Sequence, residues 1–330
     1  MPSEFQLINQ YFKQRGSHQG VMLGIGDDAA LLTVPHGEML VATTDTFIAG
    51  RHFPENTHPF AIGHKALAVN LSDLAAMGAT PRWVLLAVTL PKAEPFFLQE
   101  FANGIFNLAN QYKVAVVGGD TTKGELSITI TALGTVPVGQ AIRRDSAKVG
   151  DGIYVSGTIG DAGLGLQLAL NQYQTKELNK DQQTYCRARL DFPQPRIALG
   201  LALRGLATAC LDISDGLAQD LGHILNASKV GATLQLEQLP IDQSLKELDL
   251  RQAWHYALAG GDDYELCFTI TPQNYEKLLH KRRKKLEERE SNTILRLRVV
   301  LISPISLLFL WNILYLMCAI WSLRFCLSSG

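Results

Sequence analysis

Aspartate recurs where apolar segments end, beside glycine, serine or threonine: GIGDD (24–28), TTD (43–45), NLSD (70–73), GGD (118–120), DISD (212–215) and GGDD (260–263). A carboxylate near a buried strand end is costly unless it is paired, hydrogen-bonded or bound to a metal. Lys and Arg are scarce around these motifs. Several carboxylates converging without basic partners repel one another, and divalent cations relieve that repulsion. Carboxylate, hydroxyl and carbonyl oxygens are hard donors that suit Mg²⁺ or Mn²⁺ rather than zinc, and Mg²⁺ commonly shares its shell with substrate phosphates. The adjacent glycines let backbone N–H groups approach a phosphate closely. The combination predicts a magnesium–nucleotide site.

Taken singly, each motif has an ordinary explanation. Asp28 suits a turn, Asp73 an N-cap for the following LAAMG, Asp120 an Asx-turn, and Asp215 a cap for a helix starting at Gly216. Recurrence favours the metal reading, because capping chemistry would draw on Ser and Asn as well. Other phosphate motifs fail. There is no GxxxxGK[ST], and protein-kinase signatures are missing. GIGDDA matches GxGxxA, but Pro35 and Gly37 leave too little room for the helix a dinucleotide fold requires, and Asp27 and Asp28 would face a pyrophosphate. Arg143 and Arg144 can clamp phosphate or simply be solvated, and His52 follows the TTD strand closely enough to meet a ligand. His223 and His255 receive no role.

These residues must be positioned by a chain of 330 residues, 47% hydrophobic and 18% charged, which suits packed cores. A net charge of −1 gives no basic field for nucleic acid. Five cysteines (186, 210, 267, 318, 326) without CxxC spacing point to a reducing compartment, and the N-terminal residues lack the apolar run of a signal peptide, so a cytoplasmic location is expected. Short β-branched runs predict strands at 39–45, 83–90, 114–117 and 126–136, with helices at 59–78 and 95–112 between them. Residues 138–150 read as a junction between domains at 1–137 and 151–280. In the second domain, strands are expected at 152–157, 210–215, 232–236 and 265–270, with helices at 161–172, 195–207 and 216–228. The text then changes. Residues 281–298 carry eight basic and three acidic residues, and 299–323 run 25 residues without a charge, longer than the roughly 20 needed to cross a bilayer core. A membrane anchor, a buried helix pair and a coding sequence that has left its ancestral frame all fit this tail of 281–330.

The set GIGDDAALL, TTDTFIAGRHF, ALAVNLSDLAAMGATP, VGGDTT, LDISDGLAQDLGHI and GGDDYELCF, in this order, closely resembles the thiamine-monophosphate kinases of the PurM-like ATP-binding superfamily, over about residues 4–275. The resemblance implies an α/β (α+β) two-domain fold whose N-terminal mixed sheet forms a homodimer interface. It implies ATP-dependent phosphorylation of thiamine monophosphate with several Mg²⁺ ions. Carried over by motif, Asp28, Thr43, Thr44, Asp45, Asp73, Asp120, Asp212 and Asp215 would hold magnesium. Gly119, Asp120, Arg144 and Ser214 would contact ATP; His52 and Asp262 would contact thiamine monophosphate, with Asp262 standing where the family often has Glu. No residue is assigned as a general base. Beyond GGDDYELCF the family continues with a strand, a helix and a late aromatic against the thiamine rings, and here the basic and apolar tail stands instead. Another PurM-like synthetase, or a nucleotide-binding chain impaired by this tail, is the alternative.

Overall fold

The computed structural model describes residues 4–13, 18–173, 178–285, 294–297 and 299–302. The chain opens with a single turn α1 (Glu4–Leu7) that runs on as a π-turn (Ile8–Phe12), then a small ribbon of β1 (Val21–Leu23) and β2 (Leu31–Leu32). The first large unit follows: β3 (Glu38–Ile48), α2 (Pro59–Ala76), β4 (Thr80–Leu90), α3 (Pro95–Tyr112), β5 (Ala115–Lys123) and β6 (Ser127–Pro137). Its sheet is mixed, in the order β3-β6-β4-β5, with only β4 and β5 parallel. Alternation along SITITALGTVP sends Ile128, Ile130 and Ala132 into the core and Thr129 and Thr131 to the other face.

Both long helices begin with proline in the first turn, where its missing N–H costs nothing. Helix α2 is apolar on nearly every side and is accordingly buried all round. Small residues let its neighbours approach. A Cβ on Gly63 would lie 2.2 Å from the Phe101 carbonyl oxygen, and one on Gly104 would lie 2.0 Å from that of Phe60. These two glycines therefore permit the α2–α3 crossing.

The second unit comprises β7 (Gly152–Ser156), α4 (Asp161–Ala169), α5 (Lys180–Asp191), α6 (Ile197–Leu203), β8 (Ala207–Asp212), α7 (Leu217–Ser228), β9 (Gly231–Leu234), a 3₁₀ turn (Leu236–Gln238), α8 (Gln243–Lys246), α9 (Leu250–Ala259), β10 (Leu266–Ile270) and α10 (Pro272–Lys285). Two further strands, β11 (Ile294–Leu297) and β12 (Val299–Ile302), come from the tail. The sheet order is β11-β7-β10-β8, all antiparallel, while β12 pairs with β9. Helix α6 also docks on α2, near its C-terminal end. A Cβ on Gly200 would meet the Ala75 carbonyl oxygen at 2.1 Å, so this crossing also requires glycine.

The α/β two-domain expectation holds, and α3 matches its expected span of 95–112. The strand expected at 210–215 lies earlier, at Ala207–Asp212, because the chain turns sharply at Ser214–Gly216. Residues 294–297 and 299–302 are strands, so the apolar run begins by pairing with β9 and not as a helix. Among the described residues no helix is long and apolar enough to cross a membrane; the rest of that run, 303–323, lies outside them.

Candidate active site

Seven of the expected residues line one cleft of about 970 Å³ between the two units: His52, Asp45, Asp73, Asp212, Ser214, Asp215 and Asp262. Alternation along β3 turns Thr43 and Asp45 toward α2, where the Thr43 hydroxyl donates to Asp73 Oδ2. Thr44 belongs to the opposite face, its Oγ1 lying 3.2 Å from the Ile130 carbonyl oxygen and 3.0 Å from Thr131 Oγ1. Asp73 is inside α2 and Asp212 is the last residue of β8, so strand, helix and strand each deliver one carboxylate.

The electrostatics of this trio follow from burial without neutralisation. Burial, then the neighbouring Asp73 charge, pushes the Asp45 carboxyl up to about 6. The same two causes push Asp212 up to about 7. Asp73 is also raised by burial, against the lowering influence of the Thr43 hydroxyl, the Arg144 guanidinium and a hydrogen bond with Asp212. Among the described residues none of Asp45, Asp73, Asp212 and Asp215 is in an ion pair. Buried Asp212 and half-buried Asp45, each repelled by half-buried Asp73 and none in an ion pair, are carboxylates whose repulsion a hard divalent cation would relieve.

The turn after β8 is built by a residue the sequence reading passed over. Asp220 Oδ2 accepts the backbone N–H groups of Ser214, Asp215 and Gly216 at 3.0, 3.0 and 3.1 Å. Asp215 itself does not cap α7; the cap position is Gly216, without a side-chain bond. Likewise Asp73 is not an N-cap, and Asp120 lies within β5 rather than in a turn. His52 Nδ1 accepts the Ile48 N–H at 3.0 Å, which fixes the ring against Phe47.

Asp28, Gly119 and Asp120 lie elsewhere, in a second cleft of about 750 Å³ that also includes Asp27 and Phe12. Gly119 has φ +150°, and a Cβ there would lie 1.8 Å from the Leu86 carbonyl oxygen, so only glycine fits. The register runs Asp45 to Ile130, Ile130 to Leu86, and Leu86 to Gly119. Asp45 and Asp120 therefore sit on opposite edge strands, three strand spacings or roughly 14 Å apart. The expectation of one gathered acidic cage is corrected accordingly: sheet order divides the acids into two groups. Among the described residues no three His, Cys, Asp or Glu side chains stand ready to hold an ion. Arg144 lines neither cleft, although its charge reaches Asp73.

The loop carrying Asp262 is anchored by a separate network. Glu265, 1% exposed, accepts from Ser156 Oγ at 2.6 Å, Arg189 Nη2 at 3.0 Å and Arg196 Nε at 2.6 Å. Asp263 accepts the Gly160 N–H at 2.7 Å, and Asp161 takes the Tyr185 hydroxyl at 3.2 Å and faces Arg189 Nε at 3.5 Å. Sequence reasoning also missed Lys65, which meets Asp262 at 2.9 Å. The available signal was a lysine within a largely apolar helix, which burial obliges to find a counter-charge.

The family model described as AIR synthase related protein, N-terminal domain, matches residues 26–136, and its C-terminal-domain counterpart matches 148–288. Thiamine-monophosphate kinase of Escherichia coli (strain K12) is 48% identical over 273 residues, 82% of this chain and 83% of that one. The crystal structure of thiamine-monophosphate kinase from Stenotrophomonas maltophilia K279a superposes with a TM-score of 0.78 at 46% identity, covering 86% of this chain and 89% of that chain. AaThiL complexed with AMPPCP and TMP gives 0.70 at 30% identity, with coverage of 82% and 83%.

Proposed function

Because the chain belongs to the thiamine-monophosphate kinase family, we propose that it transfers the γ-phosphoryl group of ATP directly, in line, to the phosphate of thiamine monophosphate, giving thiamine diphosphate and ADP. The observation that carries this reading is the convergence of Asp45, Asp73 and Asp212, at least half-buried and outside any ion pair, in the cleft that Asp262 and His52 also line. AaThiL, a relative of the same fold, was solved with AMPPCP and TMP, which supports the choice of both substrates.

In this reading Thr43, Asp45, Asp73, Asp212 and Asp215 would hold magnesium at the first cleft, with Thr44 on the other face of β3, and Asp28 and Asp120 would hold it at the second. Bound magnesium ions would neutralise two mutually repulsive polyphosphate reactants. The chain supplies the rest. Gly119 and Asp120 lie against the nucleotide, Ser214 offers a phosphate contact from the turn that Asp220 fixes, and Arg144 contacts ATP from the linker. His52 and Asp262 hold thiamine monophosphate. The acceptor phosphate is already ionised at neutral pH, so the reaction needs no general base, and the aspartates act by positioning and charge.

The separation of the acids supports a homodimer with shared sites. β3 and β5 are opposite edges of the sheet, and neither pairs with a further strand among the described residues. A two-fold related copy laying its β5 edge beside β3 would bring its own Asp28 and Asp120 to Asp45 and Asp73. Cytoplasmic placement remains part of the proposal. The assay is direct. Full-length chain with ATP, Mg²⁺ and thiamine monophosphate should form one ADP per thiamine diphosphate by chromatography; ATP turnover without thiamine diphosphate would reject the reading.

A further inference from the structure

Helix α2 delivers a cation as well as an acid to the first cleft. Lys65, Val69 and Asp73 follow at four-residue steps and so share one stripe of the helix, and the latter two line the cleft. Lys65 is 3% exposed. Its ammonium is ion-paired with Asp262 Oδ1 at 2.9 Å, a contact outside hydrogen-bond geometry, and makes no hydrogen bond among the described residues. The Tyr264 hydroxyl donates to Oδ1, at 3.3 Å, whereas Asp262 Oδ2 takes no hydrogen bond among the described residues.

The backbone around Asp262 needs such an anchor. Gly261, Asp262 and Tyr264 have φ of +67°, +62° and +50°. For the two non-glycine residues this left-handed geometry costs about 1–2 kcal/mol each. Two backbone bonds of 2.8 Å, from Asp262 N–H to Ser214 O and from Tyr264 N–H to Ile213 O, tie the loop to the turn after β8. They fix where the loop lies, but neither fixes the rotamer of the Asp262 carboxylate.

We propose that Lys65 is a positioning residue for substrate recognition: its ammonium holds Asp262 Oδ1 and leaves Oδ2 as the acceptor for a hydrogen-bond donor on thiamine monophosphate. This rests on the substrate contact assigned above to Asp262. Lys65 and Asp73 are eight residues apart on one helix, about 12 Å. The group that orients the acceptor and the group at the phosphates thus share a single rigid element.

The test compares full-length wild type, Lys65→Met, Asp262→Asn and the double variant, by steady-state kinetics for both substrates and by calorimetric binding of thiamine monophosphate without ATP. Lys65→Met should raise KM and Kd for thiamine monophosphate about ten- to a hundredfold, the range for a charged hydrogen bond, and leave KM for ATP nearly unchanged. Because Lys65 acts through Asp262, the double variant should bind no more weakly than Asp262→Asn alone. It also removes both buried charges together, which guards against reading a misfolded Lys65→Met as a binding effect. Equal losses for both substrates, or losses that multiply in the double variant, would overturn the proposal. Wild-type binding that Lys65→Met leaves intact overturns this inference alone; no binding by wild type overturns the Asp262 assignment and this inference with it.

Discussion

Two groups of acids lie within the same chain and differ in what answers them. Asp161, Asp263 and Glu265 are 0%, 1% and 1% exposed, and each is answered by an arginine, a hydroxyl or a backbone N–H. Asp212 is also buried, and Asp45 and Asp73 partly so, yet they face one another and are in no ion pair. The first group is not wholly satisfied, since Asp161 Oδ1 has no hydrogen-bond partner among the described residues and burial pushes Asp161 up to about 6. Arginines nevertheless pair with Asp161 and Glu265, whereas among the described residues no ion pair reaches the second group. In the proposed function the second group, left in a cleft without such partners, is where cations would bind. The first group holds the Asp262 loop in place.

Substitutions can break this contrast. Asp45→Ala and Asp73→Ala should each lower kcat by about a thousandfold or more, the scale of lost electrostatic stabilisation in a phosphoryl-transfer site, as read in the thiamine diphosphate assay. Near-normal turnover at saturating Mg²⁺ would abolish the distinction. In the first group, Glu265→Ala strands two partly buried arginines and should cost about 3–5 kcal/mol in urea unfolding. A loss under about 1 kcal/mol would show that group to be no more than surface pairing.

The opposite sign is expected for Asp212→Asn without metal. Asp212 titrates near 7 in the folded chain against 3.8 for its ordinary value, so the folded state binds more protons between those values. Wild-type stability from this group is then present at low pH and lost as pH rises toward 7. With EDTA at pH 8, Asp212→Asn should be more stable than wild type by on the order of 2 kcal/mol, and the gap should close near pH 4. Destabilisation at pH 8 would contradict the repulsion. The smallest effect sharpens the picture of two clefts. Inactive Asp45→Ala and Asp120→Ala chains, unfolded together and refolded, should regain about a quarter of wild-type activity if sites are shared across a dimer, because half the dimers then contain one intact site. No recovery would place each site within one chain.

Much of this was legible in the sequence because the signals were local. Alternation in SITITALGTVP and helical spacing in PFFLQEFANGIFNLANQY marked β6 and α3 with little error. Helix α5, KDQQTYCRARLD, has almost no apolar face to reveal it, and its boundary is set by a capping box at Asn179. The acidic motifs pointed to metal chemistry, but their division into two clefts depends on the order β3-β6-β4-β5, and no local pattern encodes which strands become edges. The scarcity of nearby Lys and Arg held for the site acids and failed for Asp262 and Glu265. Their partners Lys65, Arg189 and Arg196 are 197, 76 and 69 residues away along the chain, beyond any spacing argument.

Helix α2 is clamped on two sides by glycine contacts that admit no added carbon, at Gly63 and Gly104 against α3 and at Gly200 against α6. A helix so held behaves as a fixed caliper, with Lys65 at one jaw and Asp73 at the other. Widening either crossing would displace both jaws together and leave the gap between them unchanged. Damage at these glycines should accordingly weaken recognition of the acceptor and handling of the phosphates in step, as one inherited fault and not as two separable ones.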